Sequence, residues 1–324
     1  MLIFKKKLEY IREKSYLCAM LNKIIKNMGT TKKYELTDNT INIDGITLHR
    51  IKALKDFSDV KAGDLGGWIE KEDNLSQIDD AWVYSNAKVY GNAQVYGRAK
   101  VFGDAQVYGN ALICFDAWVY NNARVYGNAH ICNNVEVFGN AQVFGDAKVY
   151  GHVMVGDNSR VYGSAQVYEN AVVLGEVFGN AKVCGDARVH NHAKVYGNAM
   201  VFDNARVYGN ARIYGNANVC GNVYIYGNAL VYGDAKVFGN AEVFGEVEIC
   251  GNAVVCDDAD YIVFKNFWSS KRYFTWTRSN NMWSVGCFYG TGKKLIEKAY
   301  RDSAKSGKEY EKIVRYVDSI LADE

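Results

Sequence analysis

The sequence predicts an all-β fold: a single-stranded parallel β-helix of about ten triangular coils, with a short β cap before it and an α+β cap after it. Two observations carry this. From Asp79 to Asp258 the chain repeats hexads of the form Gly-Asn-Ala-x-Val-Tyr, and none of the 324 residues is proline. Gly91-Asn92-Ala93-Gln94-Val95-Tyr96, Gly209-Asn210-Ala211-Arg212-Ile213-Tyr214 and Gly233-Asp234-Ala235-Lys236-Val237-Phe238 are representative. The phase holds from Asp79 through Leu174, loses two residues at Gly175-Glu176-Val177-Phe178, and resumes at Gly179, giving about 30 hexads.

One hexad explains the coil. In Ala-x-Val-Tyr, strand alternation sends Ala and Val to one face and x and Tyr to the other. The Ala and Val face is the inner one, because x is often Lys, Arg or Gln. Gly-Asn or Gly-Asp supplies a corner, since those residues tolerate positive φ. A strand of four and a corner of two, three times over, close one triangular turn. Ten turns at the strand spacing of about 4.8 Å predict a rod of roughly 50 Å. Inward Val or Ile, at about 1.5–3 kcal/mol each when buried, is the main stabilising term, offset largely by chain entropy. Open coils at the two ends need covering, or strands would add there.

The flanks are read as that cover. Residues 1–33 form a basic helical arm, with Met28 an alternative start. Residues 34–78 form short strands leading into the first coil, 79–258 the hexad β-helix, and 259–324 the α+β cap. The last segment has strand-like aromatic stretches (YIVFKNFW, RYFTWTRS, MWSVGCFYG) and two helical stretches near 292–304 and 307–322, where Ile313, Val314, Val317 and Leu321 recur at helical spacing.

Composition narrows the function. Lys and Arg number 38 against 36 Asp and Glu, so no global field selects nucleic acid or acidic lipid. No apolar run reaches the roughly 18 residues of a membrane span, and the basic N-terminus lacks the pattern of a signal peptide. The chain is expected to be cytoplasmic, with no membrane partner and with reduced thiols. Six of its eight cysteines (Cys114, Cys132, Cys184, Cys220, Cys250, Cys256) fill the Tyr/Phe slot. Cys114 and Cys132, 18 apart, stack on adjacent coils, where an oxidised pair is the alternative to two thiols.

The hexads resemble the hexapeptide-repeat superfamily of left-handed β-helices, whose best-known members are trimeric acyltransferases. Val95-Tyr96-Gly97-Arg98-Ala99-Lys100 matches its aliphatic and small positions, with Tyr, Phe or Cys where the enzymes carry Gly or an acid. Left-handed coiling is what the resemblance implies, since parallel crossovers are otherwise right-handed. The aromatic hexads, with Gly63-Asp64-Leu65-Gly66-Gly67-Trp68-Ile69-Glu70 before and Gly286-Cys287-Phe288-Tyr289-Gly290-Thr291 after them, resemble a phage- and prophage-associated branch often labelled transferase-like or polymer-forming. Fold carries over from such a resemblance; function does not.

The chemistry points away from catalysis. An acyltransferase of this type needs a histidine base and a loop projecting from a coil. The repeat histidines His130, His152, His190 and His192 occupy ordinary outward or corner slots, and the hexads run without an insertion. His190 and His192 alone do not make a zinc site, and Gly290-Thr291-Gly292-Lys293-Lys294 falls short of a phosphate loop. No cofactor is expected. The outer surface carries more. Fourteen tyrosines fill the sixth position and form columns, for example Tyr90, Tyr108 and Tyr126. Such columns stabilise a rod, and they also offer rings on which bases stack. The hexads, with about 12 basic and 17 acidic side chains, argue against a nucleic-acid track. Lys100, Trp118, Glu136, Met154 and Val172 share one column, in which Trp118, Met154 and Val172 make an apolar strip.

The resulting expectation is a non-catalytic scaffold. It recognises a protein or nucleoprotein partner through Lys100, Trp118, Arg124, Met154, Val172, Arg188, Arg206 and Arg212 on the coils and Lys271, Arg272, Trp276, Arg278 and Trp283 on the cap. The phage-like resemblance extends this to blocking a host defence complex. An acyl-CoA-dependent acyltransferase and a self-assembling structural polymer, a homo-oligomer, are the alternatives.

Overall fold

The computed structural model describes residues 31–268 and 271–322. They fall in two compact units, one ending at Gly179 and the other beginning at Asn180. Most of the arm expected at 1–33 lies outside the described residues.

The first unit opens with an antiparallel sheet of strands Tyr34–Ile43, Ile46–Ala53 and Leu65–Ile69. The third strand then pairs in parallel with the first hexad strand of one face, Trp68 against Lys88 and Ile69 against Val89. Three parallel ladders follow. One steps through Lys88, Gln106, Arg124, Gln142 and Arg160. A second runs Trp82, Lys100, Trp118, Glu136, Met154 and Val172. A third runs Gln94, Leu112, His130, Lys148 and Gln166. Successive members lie one three-hexad coil apart, so the hexads do close a triangle and the fold is a parallel β-solenoid. Ala123, Val125, Ala141 and Val143, like their counterparts in other coils, have no solvent contact.

The four-residue strand expected from Ala-x-Val-Tyr is shorter in the structure. Most hexads contribute two paired residues, such as Arg124–Val125, because the corner takes back the rest. Its first residue is left-handed, as at Gly127 with φ of 71°, and that rotation leaves only x and Val in the ladder. Strands lengthen to four residues at His130–Asn133, Lys148–Gly151 and Gln166–Glu169. The two-residue deletion is absorbed within one corner. Val173 and Glu176 both stay in ladders, and Arg160 pairs with Glu176, 16 rather than 18 residues on.

Reduced thiols were the expectation for the whole chain, and Cys114 with Cys132 is the correction. The two are joined by a disulfide, with Cα atoms 4.7 Å apart. The register sets Cys132 directly against Cys114, a separation that suits a disulfide, in a buried cluster with Tyr96.

The second unit continues the pattern. Its ladders run Lys182, Met200, Asn218, Lys236 and Val254; Arg188, Arg206, Tyr224 and Glu242; and Lys194, Arg212, Leu230 and Glu248. It ends in an antiparallel sheet of strands Tyr261–Lys265, Tyr273–Thr277, Met282–Val285 and Phe288–Gly290. Helices Gly292–Asp302 and Ala304–Ala322 pack on that sheet. The strand-like stretch MWSVGCFYG is a hairpin of two strands that turns at Gly286.

The covers work by matching hydrogen-bond polarity. Each coil's x residue donates its N–H to the following coil, as Lys88 does to the carbonyl of Ala105 at 2.9 Å. The first coil is therefore left with bare carbonyls, and donors meet them. Trp68 N–H reaches the Ala87 carbonyl at 2.9 Å and Ser76 N–H the Val95 carbonyl at 2.9 Å. The Asn74 amide donates to the carbonyls of Gly91 (3.1 Å) and Ala93 (2.9 Å). Lys33, fully buried, donates to the carbonyls of Asp79 and Ala81, each at 2.8 Å. Burial pushes its ammonium pKa down to about 8, against the pull of Asp79. The last coil has the opposite need. Its N–H groups at Glu242, Glu248 and Val254, one on each face, donate to Asp258 Oδ1 (2.7 Å), Thr275 Oγ1 (3.0 Å) and Ser279 Oγ (2.7 Å).

Two corner glycines separate backbone strain from coil contact. A Cβ at Gly127 would stand 2.9 Å from the backbone nitrogen of Gly145, whereas a Cβ at Gly245 would meet nothing within 4 Å. Both are left-handed. Gly245→Ala is expected to cost roughly 1 kcal/mol, the conformational penalty alone. Gly127→Ala should cost about 3 kcal/mol, because the coils must also part. Urea denaturation of the two variants checks the difference.

Candidate functional site

Each hexad places its x side chain and its sixth side chain outward, so the surface is built of columns one coil apart. On the Arg124 face of the first unit, the rings of Tyr108, Tyr126, Phe144, Tyr162 and Phe178 stack with centroids 4.8–4.9 Å apart and planes within 2° of parallel. The second unit repeats this at Tyr196, Tyr214 and Tyr232. Every interior ring of a column has both faces covered by its neighbours. The expectation that bases might stack on these columns is therefore corrected: the rings present edges, and the spacing leaves no gap for a further ring. Column order also appears at the corners. Lys71 Nζ donates to Asn92 Oδ1 (3.2 Å), Asn92 to Asn110 (3.2 Å), Asn110 to Asn128 (2.9 Å), and Asn128 to Asp146 Oδ1 (2.8 Å).

The residues expected to meet a partner sort clearly. Trp118 and Met154 are exposed, at 42% and 40%, on the same face with Glu136 between them and Val172 half-buried beyond. The apolar strip is thus interrupted by a carboxylate, which accepts the Tyr120 hydroxyl at 2.8 Å. Lys100 is engaged within the chain: its ammonium lies 2.9 Å from Asp59 Oδ1, and that hydrogen bond holds the Asp59 carboxyl down to about 2. Arg124, Arg188, Arg206 and Arg212 are exposed, with the Arg206 guanidinium 5.3 Å from the Tyr224 ring centroid. On the cap, Lys271, Arg272 and Arg278 are exposed.

Trp276 and Trp283 are not surface residues, which corrects their place among the contact candidates. Each is 1% exposed. They face each other across the sheet and pack with Phe274, Leu295, Val314 and Val317 beneath the helices. Their amphipathic alternation in the sequence fits either face of a strand, and only the helices decide which face is covered. His192 is exposed and His190 half-buried at one corner. Among the described residues no three His, Cys, Asp or Glu side chains come together as a metal site. Sequence reasoning missed Lys33 and Asn74 as the groups that close the first coil, because neither belongs to the repeat.

The fold and surface define a parallel β-solenoid protein with closed outer coils. Residues 117–218 match the family model of bactofilin, described as polymer-forming cytoskeletal, and residues 93–109 match the YdcK β-solenoid repeat. The first match spans about a third of the chain. No curated protein matches the chain as a whole or in part. Among the described residues no helix is long and apolar enough to cross a membrane.

The tyrosine columns carry a pH prediction. Burial, then the Glu136 carboxylate, push the Tyr120 hydroxyl up to about 12, and burial raises Tyr90, Tyr108 and Tyr214 above the ordinary value as well. In the unfolded chain these groups ionise near pH 10. Between there and the folded values the folded state holds more protons, so their contribution to stability is intact below about pH 10 and is lost as pH rises through the folded pKa. The melting temperature, followed by circular dichroism, should fall as pH rises above about 10.

Proposed function

We propose that this protein is a non-catalytic scaffold that works through the sides of its solenoid. The observation that carries the reading is the chemical closure of the outer coils: donors cover the bare carbonyls of the first coil, and Asp258, Thr275 and Ser279 cover the bare N–H groups of the last. Strand addition at those two edges meets ladder groups that are already paired. The sides remain available, with Trp118 and Met154 exposed on one face and arginines on the others. Exposed aromatic and arginine side chains are what interfaces favour. A macromolecular partner held against those columns is the function they fit, and the phage-like character of the hexads directs the search to host complexes.

The match over residues 117–218 favours a second reading, a self-assembling polymer. Closed edges restrict such assembly to lateral contacts. Sedimentation velocity across a wide concentration range, with negative-stain microscopy of the same samples, separates the two. A scaffold gives one discrete species at all concentrations. Filaments that lengthen with concentration would replace the scaffold with the polymer.

A further inference from the structure

Two of the chain's six tryptophans lie in the hexads, and both sit in the same pentapeptide. Asp80-Ala81-Trp82-Val83-Tyr84 and Asp116-Ala117-Trp118-Val119-Tyr120 are identical and stand two coils apart. Along their shared ladder Trp82 pairs with Lys100, Lys100 with Trp118, and Trp118 with Glu136. Each tryptophan is thus followed one coil on by a charge, a cation after the first and a carboxylate after the second. The two tyrosines attend those charges. The Lys100 ammonium lies 5.6 Å from the Tyr84 ring centroid, and the Tyr120 hydroxyl donates to Glu136 at 2.8 Å. One surface patch therefore occurs twice, with its charge reversed.

The first patch is occupied by the chain itself. Residues 57–60 make a tight turn, in which Phe57 and Val60 exchange backbone hydrogen bonds of 3.0 and 2.8 Å. The turn sets the Phe57 ring edge-on to Trp82, with centroids 5.3 Å apart. It also brings the Asp59 carboxylate to the Lys100 ammonium (2.9 Å) and the Tyr84 hydroxyl (2.8 Å). With Tyr34 packed edge-on as well, Trp82 is only 1% exposed. The second patch has no such cover. Trp118 meets the Phe102 ring edge-on at 6.1 Å and remains 42% exposed. Glu136 is half-buried beside the Tyr120 hydroxyl, and among the described residues no cation pairs with it. Met154, next along the ladder, is exposed as well.

We infer that the patch of Trp118, Tyr120 and Glu136 docks a turn of a protein partner, built like residues 57–60 but opposite in charge. The partner supplies an aromatic side chain for Trp118 and, close after it, a lysine or arginine for Glu136. A ring laid against an exposed indole buries apolar area on both sides. Glu136 stands where the first patch has Lys100, so the matching charge on the partner reverses. A turn like the chain's own would set a carboxylate against Glu136, and the second patch rejects it on that ground. The acidic excess of the hexads adds the same preference for a basic partner at longer range. This inference rests on the partner-binding reading above and names the chemistry of that partner's contact.

The test uses the full chain and two fluorescently labelled cyclic peptides spanning Leu54 to Asp64, one native and one carrying Asp59→Lys, read by anisotropy. The Asp59→Lys peptide is expected to bind about tenfold more tightly than the native one. Trp118→Ala should weaken its binding about tenfold. Glu136→Gln, which keeps an acceptor for Tyr120, should abolish the preference between the peptides, and Glu136→Lys should reverse it. Glu297→Gln, exposed on a cap helix, should change nothing. Melting curves of the variants establish that each is folded. No saturable binding of the Asp59→Lys peptide, binding that survives Trp118→Ala, or a preference unchanged in Glu136→Gln would overturn the inference. Sedimentation decides between scaffold and polymer whatever the peptides do, so failure of this contact and failure of the scaffold reading are told apart.

Discussion

In the parallel ladders of this chain the N–H groups of the x, sixth and corner residues point toward the following coil, as at Lys88, Tyr90 and Asn92, and the carbonyls that accept them point back. The inward Val alone reverses this and donates back to the x carbonyl. No choice of side chain alters those directions, so the first edge is rich in bare carbonyls and the last is rich in bare N–H groups. The segments outside the hexads are shaped by this asymmetry. Before the first coil stand backbone amides, the Asn74 amide and the Lys33 ammonium, all donors. After the last coil a carboxylate and two hydroxyls accept from its N–H groups, and the Tyr261 hydroxyl donates to the Glu242 carbonyl, which faces outward. A buried lysine is otherwise an expensive feature; here its hydrogens satisfy two carbonyls that no regular strand reaches.

The same winding makes every substitution collective. A residue's nearest outward neighbours are its own equivalents one coil away, so each residue type is tested against copies of itself. Neutral flat groups pass that test: tyrosines stack on tyrosines, and asparagine amides donate to the next amide. Cysteines pass it by joining. Like charges fail it, and along one ladder of the first unit Gln106 and Gln142 separate Lys88, Arg124 and Arg160. In the second unit that spacing is relaxed, and Arg188 stands in register with Arg206 and Lys194 with Arg212.

Much of this was legible in the sequence. The hexad period alone placed Ala and Val inside, predicted the three faces and the columns, and brought Cys114 and Cys132 together. What stayed hidden has physical reasons. The oxidation state of that pair depends on a contact between coils, not on spacing. Ring orientation within a column follows from backbone spacing and side-chain rotamers, so the hexads could not reveal that the tyrosine faces are covered. Trp276 and Trp283 lie in a non-repeating sheet whose buried side is set by helices further along the chain, and their pattern fits either face. Lys33 reads as the end of a basic segment because its burial depends on carbonyls of residues 79 and 81, far away in sequence. The candidate contact residues were legible as exposed columns only where the repeat itself was regular.

The asparagine row from Lys71 to Asp146 has a consequence for how such a chain finds its fold. Near-identical repeats are interchangeable to their neighbours, and a strand that pairs one coil too early or too late satisfies the backbone equally well. The row is not interchangeable. It begins with a group that only donates and ends with one that only accepts. A misplaced coil would set the ammonium against an amide already supplied, or leave the carboxylate facing another acceptor. These few charged termini act as addresses in an otherwise anonymous sequence, and they let the repeats stay alike without losing count.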